Sequence, residues 1–199
     1  MKTTIIDLLR HGEAAGGAYY RGVTDDPLTD CGRLQMYQAV AGPIYWTRIV
    51  SSPLRRCLDF AEIFSRERHL PLSIEPRLQE LHFGDWEGKN TDEIGRLWPQ
   101  ALERFYQDPY AHPPRNGEDF IAFRHRIQSA WHDITSTHRY GRLLIVTHSG
   151  VIRTLFSLLM NLKPQDCFHI QLNHACLIRF QILHNDASDF VQLVSLQQL

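Results

Sequence analysis

The stretch TTIIDLLRHG, residues 3–12, decides the fold of this chain. It begins with β-branched and aliphatic side chains, which predict a β-strand over residues 3–9. The apolar run then stops at Arg10 and His11, and Gly12 follows. A strand that ends in a cation and an imidazole is either closed by a structural hydrogen-bonded pair or ends at a functional site. In an open α/β sheet, ligands bind at the carboxyl ends of the strands, and this favours a functional site at Arg10 and His11.

Two further segments have the same character, TRIV at 47–50 and RLLIVT at 142–147. Short, nearly continuous apolar runs are typical of strands buried on both faces of a parallel sheet. Helical patterns lie between and after them. The expected helices are one capped by Thr29 that runs toward Val40, one that starts at Pro53, one over 118–137 and one from Val151 to Met160. This alternation predicts an α/β three-layer sandwich with a mostly parallel central sheet and helices on both faces.

The 199 residues predict a single domain, 1–199. Residues 76–114 interrupt the alternation, since they are rich in Pro, Gly, Trp and Asp and allow only short helices near 91–98 and 102–107. We interpret them as a short lid insertion over one end of the sheet. The C-terminal part predicts an antiparallel edge of the sheet. Its expected strands are CFHIQL (167–172), ACLIRFQIL (175–183) and FVQLVSL (190–196).

Composition excludes several classes of partner. The formal net charge is −1, which provides no basic surface for a nucleic acid and no polybasic segment for an anionic membrane. The longest N-terminal apolar run is too short and too polar for a signal peptide or a membrane span, so we expect a cytoplasmic protein with a small substrate. The sequence does not indicate an oligomeric state.

Cysteine and histidine usage gives no sign of a metal site. The four cysteines have no CxxC spacing, and a domain of this size does not need disulfides. The eleven histidines include no HxxxH or HxxEH pair. We therefore expect reduced thiols, no metal and no cofactor.

A cationic or imidazole side chain follows each of the three predicted strands, and we expect these side chains to lie at the same edge of the sheet. The second strand leads into SSPLRRC, with Arg55 and Arg56, and the third ends in THSG, with His148 and Ser149. Such a cluster repels itself unless an anion lies at its centre. A phosphoryl group suits it, because arginine donates paired hydrogen bonds, an imidazolium adds one, and the backbone N–H groups after Gly150 add a helix N-terminus.

Chemistry at that phosphorus needs a nucleophile and an acid. An unprotonated imidazole nitrogen, held in one tautomer by a hydrogen bond from the other nitrogen, can attack phosphorus and form a phosphohistidine. The leaving oxygen then needs a proton, which an Asp or Glu can supply. The candidate is Glu80 in LQELHFGDWEG, and Glu87 in the same stretch is the competitor.

These motifs, in this order, resemble the histidine phosphatase superfamily. The resemblance rests on five stretches that span most of the chain: LLRHGE, YRGVTDDPLTDCGRLQ, SSPLRRCLDFAE, LQELHFGDWEG and LLIVTHSGVIRTL. It implies that His11 is the phosphorylated nucleophile and that Glu80 is the proton donor. It also implies a set of phosphate-binding partners, Arg10, Arg56 and His148. Arg56 is preferred to Arg55 because the arginine of the family immediately precedes a small residue, here Cys57.

The resemblance also suggests residues that contact the substrate. Arg21 and Gly22 fall where family members contact the part of the substrate beyond the phosphate, and Ser149 is a further candidate beside His148. Two positions depart from the family, because Ala14 replaces a hydroxyl residue and Gly17 replaces an asparagine. Backbone N–H groups of this loop or Arg21 would have to replace the lost phosphate contacts.

Within the superfamily, LQELHFGDWEG followed by PPRNGEDFIAFRHRI is similar to alpha-ribazole phosphatases. This likeness implies metal-independent removal of the 5'-phosphate from alpha-ribazole phosphate, a step in making the lower ligand of cobalamin. One alternative is a broad-specificity sugar-phosphate or phosphoglycerate phosphatase, or a mutase, although the short lid favours a phosphatase. Another is a binding module for phosphorylated ligands that has lost catalysis.

Overall fold

Strand β1, Lys2–Arg10, lies in the interior of the sheet and sends its side chains alternately to the two faces. Ile6 and Leu8 enter the core on one face, and Leu9 enters the core on the other. This alternation follows from the two-residue repeat of an extended chain. The structure is a computed structural model that describes residues 2–43, 45–185 and 189–198.

The sheet has six strands in the order β3-β2-β4-β1-β5-β6. Strands β1 to β4 are mutually parallel where they pair, and β5 and β6 run antiparallel. The predicted mostly parallel sheet with an antiparallel edge is therefore confirmed. The strands that follow β1 are β2 (Arg48–Ser51), β3 (Leu72–Ile74), β4 (Arg142–Thr147), β5 (Leu177–His184) and β6 (Phe190–Gln197).

The helices cover both faces of the sheet, as predicted. The Thr29 hydroxyl accepts a hydrogen bond from the Gly32 backbone N–H and caps the first helix, while the second begins two residues after Pro53. No helix within the described ranges combines the length and the apolar character needed to cross a bilayer. The helices are α1 (Asp30–Ala39), α2 (Arg55–Arg68), α3 (Thr91–Leu97), α4 (Ala101–Gln107), α5 (Phe120–Thr137) and α6 (Ser149–Leu159).

Two apolar clusters sandwich the sheet. One packs Ile6 and Leu8 against α5 and α6, with Phe123 and Leu155 fully or almost fully buried. The other packs Leu9 against α1 and α2. Because both faces are covered, the loops at the strand ends remain as the sites where a ligand can reach the sheet.

The strand predicted at 167–172 is wrong. Residues Pro164–His169 form a 3-10 helix, in which the Asp166 N–H bonds the Lys163 carbonyl. The proline at the first helical position favours this turn, and Cys167 is buried beneath it. Strand β3 was absent from the predicted strands, because three residues are too few to give a periodic signal.

Residues 76–114 contain no strand of the sheet. They hold two 3-10 turns, Pro76–Leu78 and Gly84–Trp86, together with the short helices α3 and α4. Both short helices lie within one residue of the predicted bounds. That this segment acts as a lid stays a prediction.

The polar residue inside the apolar run of β1 has a structural explanation. Asp7 is fully buried and accepts hydrogen bonds from the Arg179 guanidinium, at 2.8 and 2.9 Å, and from the Trp46 indole at 2.7 Å. Three donors thus replace the water that the carboxylate loses on folding.

Candidate active site

The carboxyl ends of β1, β2 and β4 meet at one edge of the sheet. Arg10 pairs in register with Thr147, and Ser51 pairs with Val146. The residues that follow these strands are therefore brought together, as the sequence predicts. A cavity of about 930 Å³, called here the main cavity, opens over this edge and is lined by Arg10, His11 and Glu80 among others.

His11 is held in one tautomer. Its Nδ1 lies 2.8 Å from the carbonyl oxygen of Gly12, and a carbonyl can only accept, so Nδ1 carries the proton. The other ring nitrogen, Nε2, is left with its lone pair. Gly12 is required here because a Cβ at this position would lie 2.0 Å from the Gly32 carbonyl oxygen. The backbone geometry thus fixes both the ring and its free nitrogen.

The surroundings also keep His11 uncharged. Burial lowers its pKa well below the ordinary value, and the nearby positive charges of Arg10 and Arg56 lower it further. The ring is only 6% exposed. At neutral pH, His11 therefore presents an unprotonated nitrogen, the form that a nucleophile needs.

His148 lies directly behind His11, with a distance of 5.3 Å between the ring centroids. The Arg56 Nε donates to His148 Nδ1 at 3.2 Å, so Nε2 of His148 carries the proton and donates to the Ser52 hydroxyl at 2.7 Å. Burial, followed by the charge of Arg56, lowers the pKa of His148 well below its ordinary value. His148 is therefore a neutral hydrogen-bond donor.

Arg56 is fully buried, and its side chain is used to fix a loop. Its terminal nitrogens donate to the carbonyl oxygens of Gly22 and Thr24, each at 2.7 Å. Arg55, the alternative in the same motif, points to the surface and forms a pair with Asp59 at 3.6 Å. Arg56 rather than Arg55 therefore belongs to the site, and its donors are engaged with protein oxygens.

Arg10 faces the main cavity more directly. One terminal nitrogen donates to the Leu172 carbonyl at 2.5 Å. Its Nε is buried and has no hydrogen-bond partner among the described residues. Unpaired buried donors are uncommon in proteins, and in a cavity lined by His11 this one is suited to an anion.

Glu80 is anchored at the start of α6. It is 4% exposed, and its carboxylate accepts from the Gly150 backbone N–H at 2.9 Å and from the Leu81 N–H at 3.0 Å. The Ser149 hydroxyl lies 3.4 Å from the same carboxylate. The helix N-terminus predicted to bind phosphate therefore holds Glu80 instead, since a carboxylate is favoured at that position.

The competing carboxylate, Glu87, has a structural role. It accepts hydrogen bonds from the backbone N–H groups of Gly22, Val23 and Thr24 and from Phe83. Burial raises its pKa, but the bonds from Thr24, Phe83 and Gly22 outweigh burial and lower it overall. The Glu87 carboxylate is thus used to hold the loop, whereas Glu80 lines the main cavity, so Glu80 remains the candidate acid.

The loop after His11 is closed by Arg21. The guanidinium donates to Asp26 at 2.8 Å and to the carbonyls of Ala15 and Gly17 at 2.6 and 3.1 Å. Arg21 lines the main cavity, but these donors serve the loop. At Gly22, a Cβ would lie 2.0 Å from the Leu81 carbonyl, so a side chain cannot be placed there.

His174 also belongs to the site, although no sequence motif marks it. Its ring centroid lies 5.9 Å from that of His11, and its pKa is lowered to about 4, first by burial and then by Arg10. The pairing of the strands explains the position of His174. Strand β5 is antiparallel to β1, with Leu177 opposite Leu9, so the residues before β5 must lie beside Arg10 and His11.

The walls of the main cavity were also missed. Arg124 from α5 and Arg153 from α6 line it, together with a set of aromatic rings. Neither arginine belongs to a strand-end motif, so no local pattern marked them. The rings include Phe83, Phe105, Tyr106 and Phe168.

Across residues 2–43, 45–185 and 189–198, no three His, Cys, Asp or Glu side chains are grouped to hold an ion. The donors at the site are arginines, imidazoles and backbone amides, a set that matches an anion.

Comparison with known proteins gives a consistent result. The model of the histidine phosphatase superfamily (branch 1) matches residues 6–193. The chain is 27% identical to the adenosylcobalamin/alpha-ribazole phosphatase of Escherichia coli (85% of each chain). It is 31% identical to the glucosyl-3-phosphoglycerate phosphatase of Mycolicibacterium vanbaalenii (81% of this chain, 76% of the relative). The crystal structure of the alpha-ribazole phosphatase of Shigella flexneri superposes with a TM-score of 0.80 at 26% identity, covering 96% of this chain and 95% of that one.

Proposed function

The chain belongs to the histidine phosphatase superfamily (branch 1), and from this membership we propose that it hydrolyses phosphomonoesters through a phosphohistidine, without a metal. The observation that carries the proposal is the tautomer of His11. Its Nδ1 is bonded to the Gly12 carbonyl, and its Nε2 is unprotonated in a cavity that also contains Glu80.

In the first step, Nε2 of His11 attacks phosphorus as the bond from phosphorus to the leaving oxygen breaks. Glu80, which binds a proton when the phosphate dianion enters beside it, gives that proton to the leaving oxygen, and the alcohol departs. The product is a phosphohistidine and a Glu80 carboxylate. The Gly12 carbonyl stabilises the positive charge that develops on the ring, because it accepts from Nδ1.

In the second step, a water molecule attacks the phosphohistidine. The Glu80 carboxylate takes a proton from the water, and the bond between phosphorus and Nε2 breaks. Inorganic phosphate is released, and His11 and Glu80 return to their starting states. The two steps balance without an external oxidant, reductant or metal.

Three groups stabilise charge on the phosphoryl oxygens in this proposal. Arg10 has an unpaired donor in place. Arg56 and His148 are already bonded to Gly22, Thr24 and Ser52, so each must exchange a bond with protein for a bond with phosphate. A preorganised donor of this kind contributes on the order of a hundredfold to a thousandfold in rate.

Two substrate candidates are supported by different observations. Alpha-ribazole 5'-phosphate is supported by the Escherichia coli relative and by the aromatic wall, which suits a planar base. A phosphorylated acid or sugar is supported by the glucosyl-3-phosphoglycerate phosphatase relative and by Arg124 and Arg153, which line the same cavity.

Turnover of a panel of phosphomonoesters tests the proposal. The panel contains alpha-ribazole 5'-phosphate, 3-phosphoglycerate and several sugar phosphates, each with and without EDTA. The expected result is phosphate release equal to substrate loss, with no effect of EDTA. Transfer of the phosphoryl group to a second acid would show a mutase instead, and phosphate binding without turnover would show a binding module.

Variants of two histidines make the test specific. His11→Ala should abolish turnover and the acid-labile phosphoenzyme detected by mass spectrometry after rapid mixing. His125→Ala, on the exposed face of α5, is the matched control and should retain both. Wild-type activity in His11→Ala would refute the mechanism.

A further inference from the structure

One face of helix α6 lines the main cavity. Gly150, Arg153, Thr154 and Ser157 all line it and recur at steps of three or four residues, which places them on one face of the helix. Gly150 holds the catalytic Glu80. At a rise of about 1.5 Å per residue, Arg153 and Ser157 lie about 5 and 10 Å further along the axis.

Arg124 reaches the far end of this line from α5. Its Nη1 donates to the Ser157 hydroxyl at 2.7 Å, and that hydroxyl donates to the Leu162 carbonyl at 3.0 Å. The chain of bonds fixes the guanidinium against the cavity wall. No carboxylate lies within 4.0 Å of Arg124 in the part of the chain that the structure describes.

Arg153 is also without a carboxylate partner within that distance among the described residues. One terminal nitrogen donates to the Ile170 carbonyl at 3.2 Å, while its buried Nε has no partner. The neighbouring Thr154 hydroxyl is 3% exposed and equally unpaired. Buried donors without partners are rare, and two adjacent ones beside a cavity are typical of a ligand site.

Aromatic rings line the same cavity. Phe168 packs edge-on against Tyr106, at 4.9 Å between ring centroids, and lies 5.5 Å from Phe105. A compound in this cavity therefore meets both apolar ring surface and guanidinium groups. The cavity, at about 930 Å³, is large for a simple glycerate or serine leaving group.

We propose that Arg124 and Arg153 form a second oxyanion subsite, called here the distal subsite, that recognises an anionic group on the leaving alcohol. The preferred substrate is an elongated phosphomonoester with an apolar middle and a carboxylate or second phosphate at the end remote from the reacting phosphorus. This rests on the proposed phosphatase activity. It favours a phosphorylated acid over alpha-ribazole phosphate, which has no second anion.

A matched series of substrates tests the distal subsite. The probes are ω-carboxyalkyl phosphates of increasing chain length, each paired with the alkyl phosphate of the same length. The expected result is a kcat/KM ratio of acid to alkyl phosphate of roughly tenfold or more at the best length, from charge-assisted hydrogen bonds. Equal kcat/KM within every pair overturns the proposal, even when both compounds are hydrolysed through His11.

Variants locate the effect. Arg124→Gln and Arg153→Gln should each reduce the acid-to-alkyl ratio, chiefly through KM, and Arg124→Lys should restore part of it. Arg66→Gln, on the exposed face of α2, is the matched control and should keep the wild-type ratio. An unchanged ratio in both distal variants refutes the assignment.

The distal subsite remains testable if the proposed hydrolysis fails. Calorimetric binding of the corresponding phosphonates, which cannot be hydrolysed, reports recognition alone. Tighter binding of the carboxylated phosphonate, lost in Arg124→Gln, supports the subsite without turnover. Equal affinity for the two phosphonates overturns it.

Discussion

The Glu80 carboxylate accepts a hydrogen bond of 2.9 Å from the backbone N–H of Gly150 in the first turn of α6. The partial positive charge of the helix N-terminus favours the carboxylate there. The short distance between Glu80 and α6 is possible only because residue 150 has no side chain. A Cβ on Gly150 would lie 2.2 Å from Oε1 of Glu80. The position of the proposed acid is thus determined by a glycine seventy residues later in the sequence.

Gly150→Ala should reduce kcat by about a hundredfold, because displacing a reacting group by about 1 Å has this effect. Helix propensity favours alanine, so the fold should not lose stability for that reason. Steady-state kinetics on a simple aryl phosphate measure the change. Gly95→Ala in α3 is the control, since a Cβ there meets nothing within 4 Å. Equal kcat in both variants would show that Glu80 tolerates the methyl group.

Stability should fall as the pH drops below about 6.5, the ordinary pKa of histidine. Burial lowers the pKa of His11, His148 and His174 in the folded protein, that of His174 to about 4. Below pH 6.5 the unfolded chain therefore binds more protons than the folded one, and acid favours unfolding. Urea midpoints measured from pH 7.5 to pH 4.5 will show this decline.

His174→Gln isolates one of these groups. Between pH 6.5 and 4, the wild-type protein takes up about one proton at His174 when it unfolds, and the variant does not. The free energy of unfolding of the variant should therefore depend less steeply on pH. Gln128→Ala, which removes an exposed side chain of α5 that does not titrate, should retain the wild-type slope. A slope in His174→Gln equal to that of the wild type would mean that His174 is protonated alike in both states.

Arg126 positions the segment that carries Glu80. It donates to the carbonyls of Gln79 and Glu80, at 2.8 and 3.1 Å, and is paired with Glu118 at 2.7 Å. Arg126→Gln should lower kcat about tenfold or more with little change in KM, and should destabilise the fold by about 1–3 kcal/mol through unpaired carbonyls.

Two further variants of arginine separate these effects. Arg126→Lys should recover part of kcat, whereas Arg139→Gln, which removes a half-exposed surface pair, should behave as the wild type. A loss of stability in Arg126→Gln with unchanged kcat would reduce Arg126 to a purely structural role.

Asp7→Ala should destabilise the protein by about 3–5 kcal/mol, because it leaves the Arg179 charge without its buried partner. Asp59→Ala removes an exposed pair with Arg55 and should cost less than about 1 kcal/mol. Urea denaturation of both variants measures the difference. Similar losses would mean that water already solvates Arg179.

The sequence predicted the parts of the fold that have a local cause. The apolar run of β1, the Thr29 cap and the periodic pattern of α5 are each set by neighbouring residues. The turn at Pro164–His169 was mistaken for a strand because its apolar residues pack against helices rather than in a sheet. Strand β3 depends on its pairing with β2, which is a tertiary contact.

The same distinction applies to the site. His11, Arg56 and His148 follow strands of the parallel sheet, so topology alone brings them to one edge. The hydrogen bonds from Arg56 to the carbonyls of Gly22 and Thr24 could not be predicted, because a sequence motif does not indicate which oxygens a guanidinium will bond. Arg124 lies on a helix that was predicted, but only the packing of α5 against α6 turns it toward the cavity.

Strand β5 runs against β1, and the segment before it closes the site: the Ala175 N–H donates to the His11 carbonyl, and Arg10 donates to Leu172, which lies 162 positions later. During synthesis, the nucleophile is therefore enclosed only after residues 172–184 have been added. A nascent chain that already contains His11, Arg56, Glu80 and His148 has every proposed catalytic group but lacks the strand that encloses them. We therefore expect a chain that stops before Leu172 to carry the proposed catalytic groups without phosphatase activity.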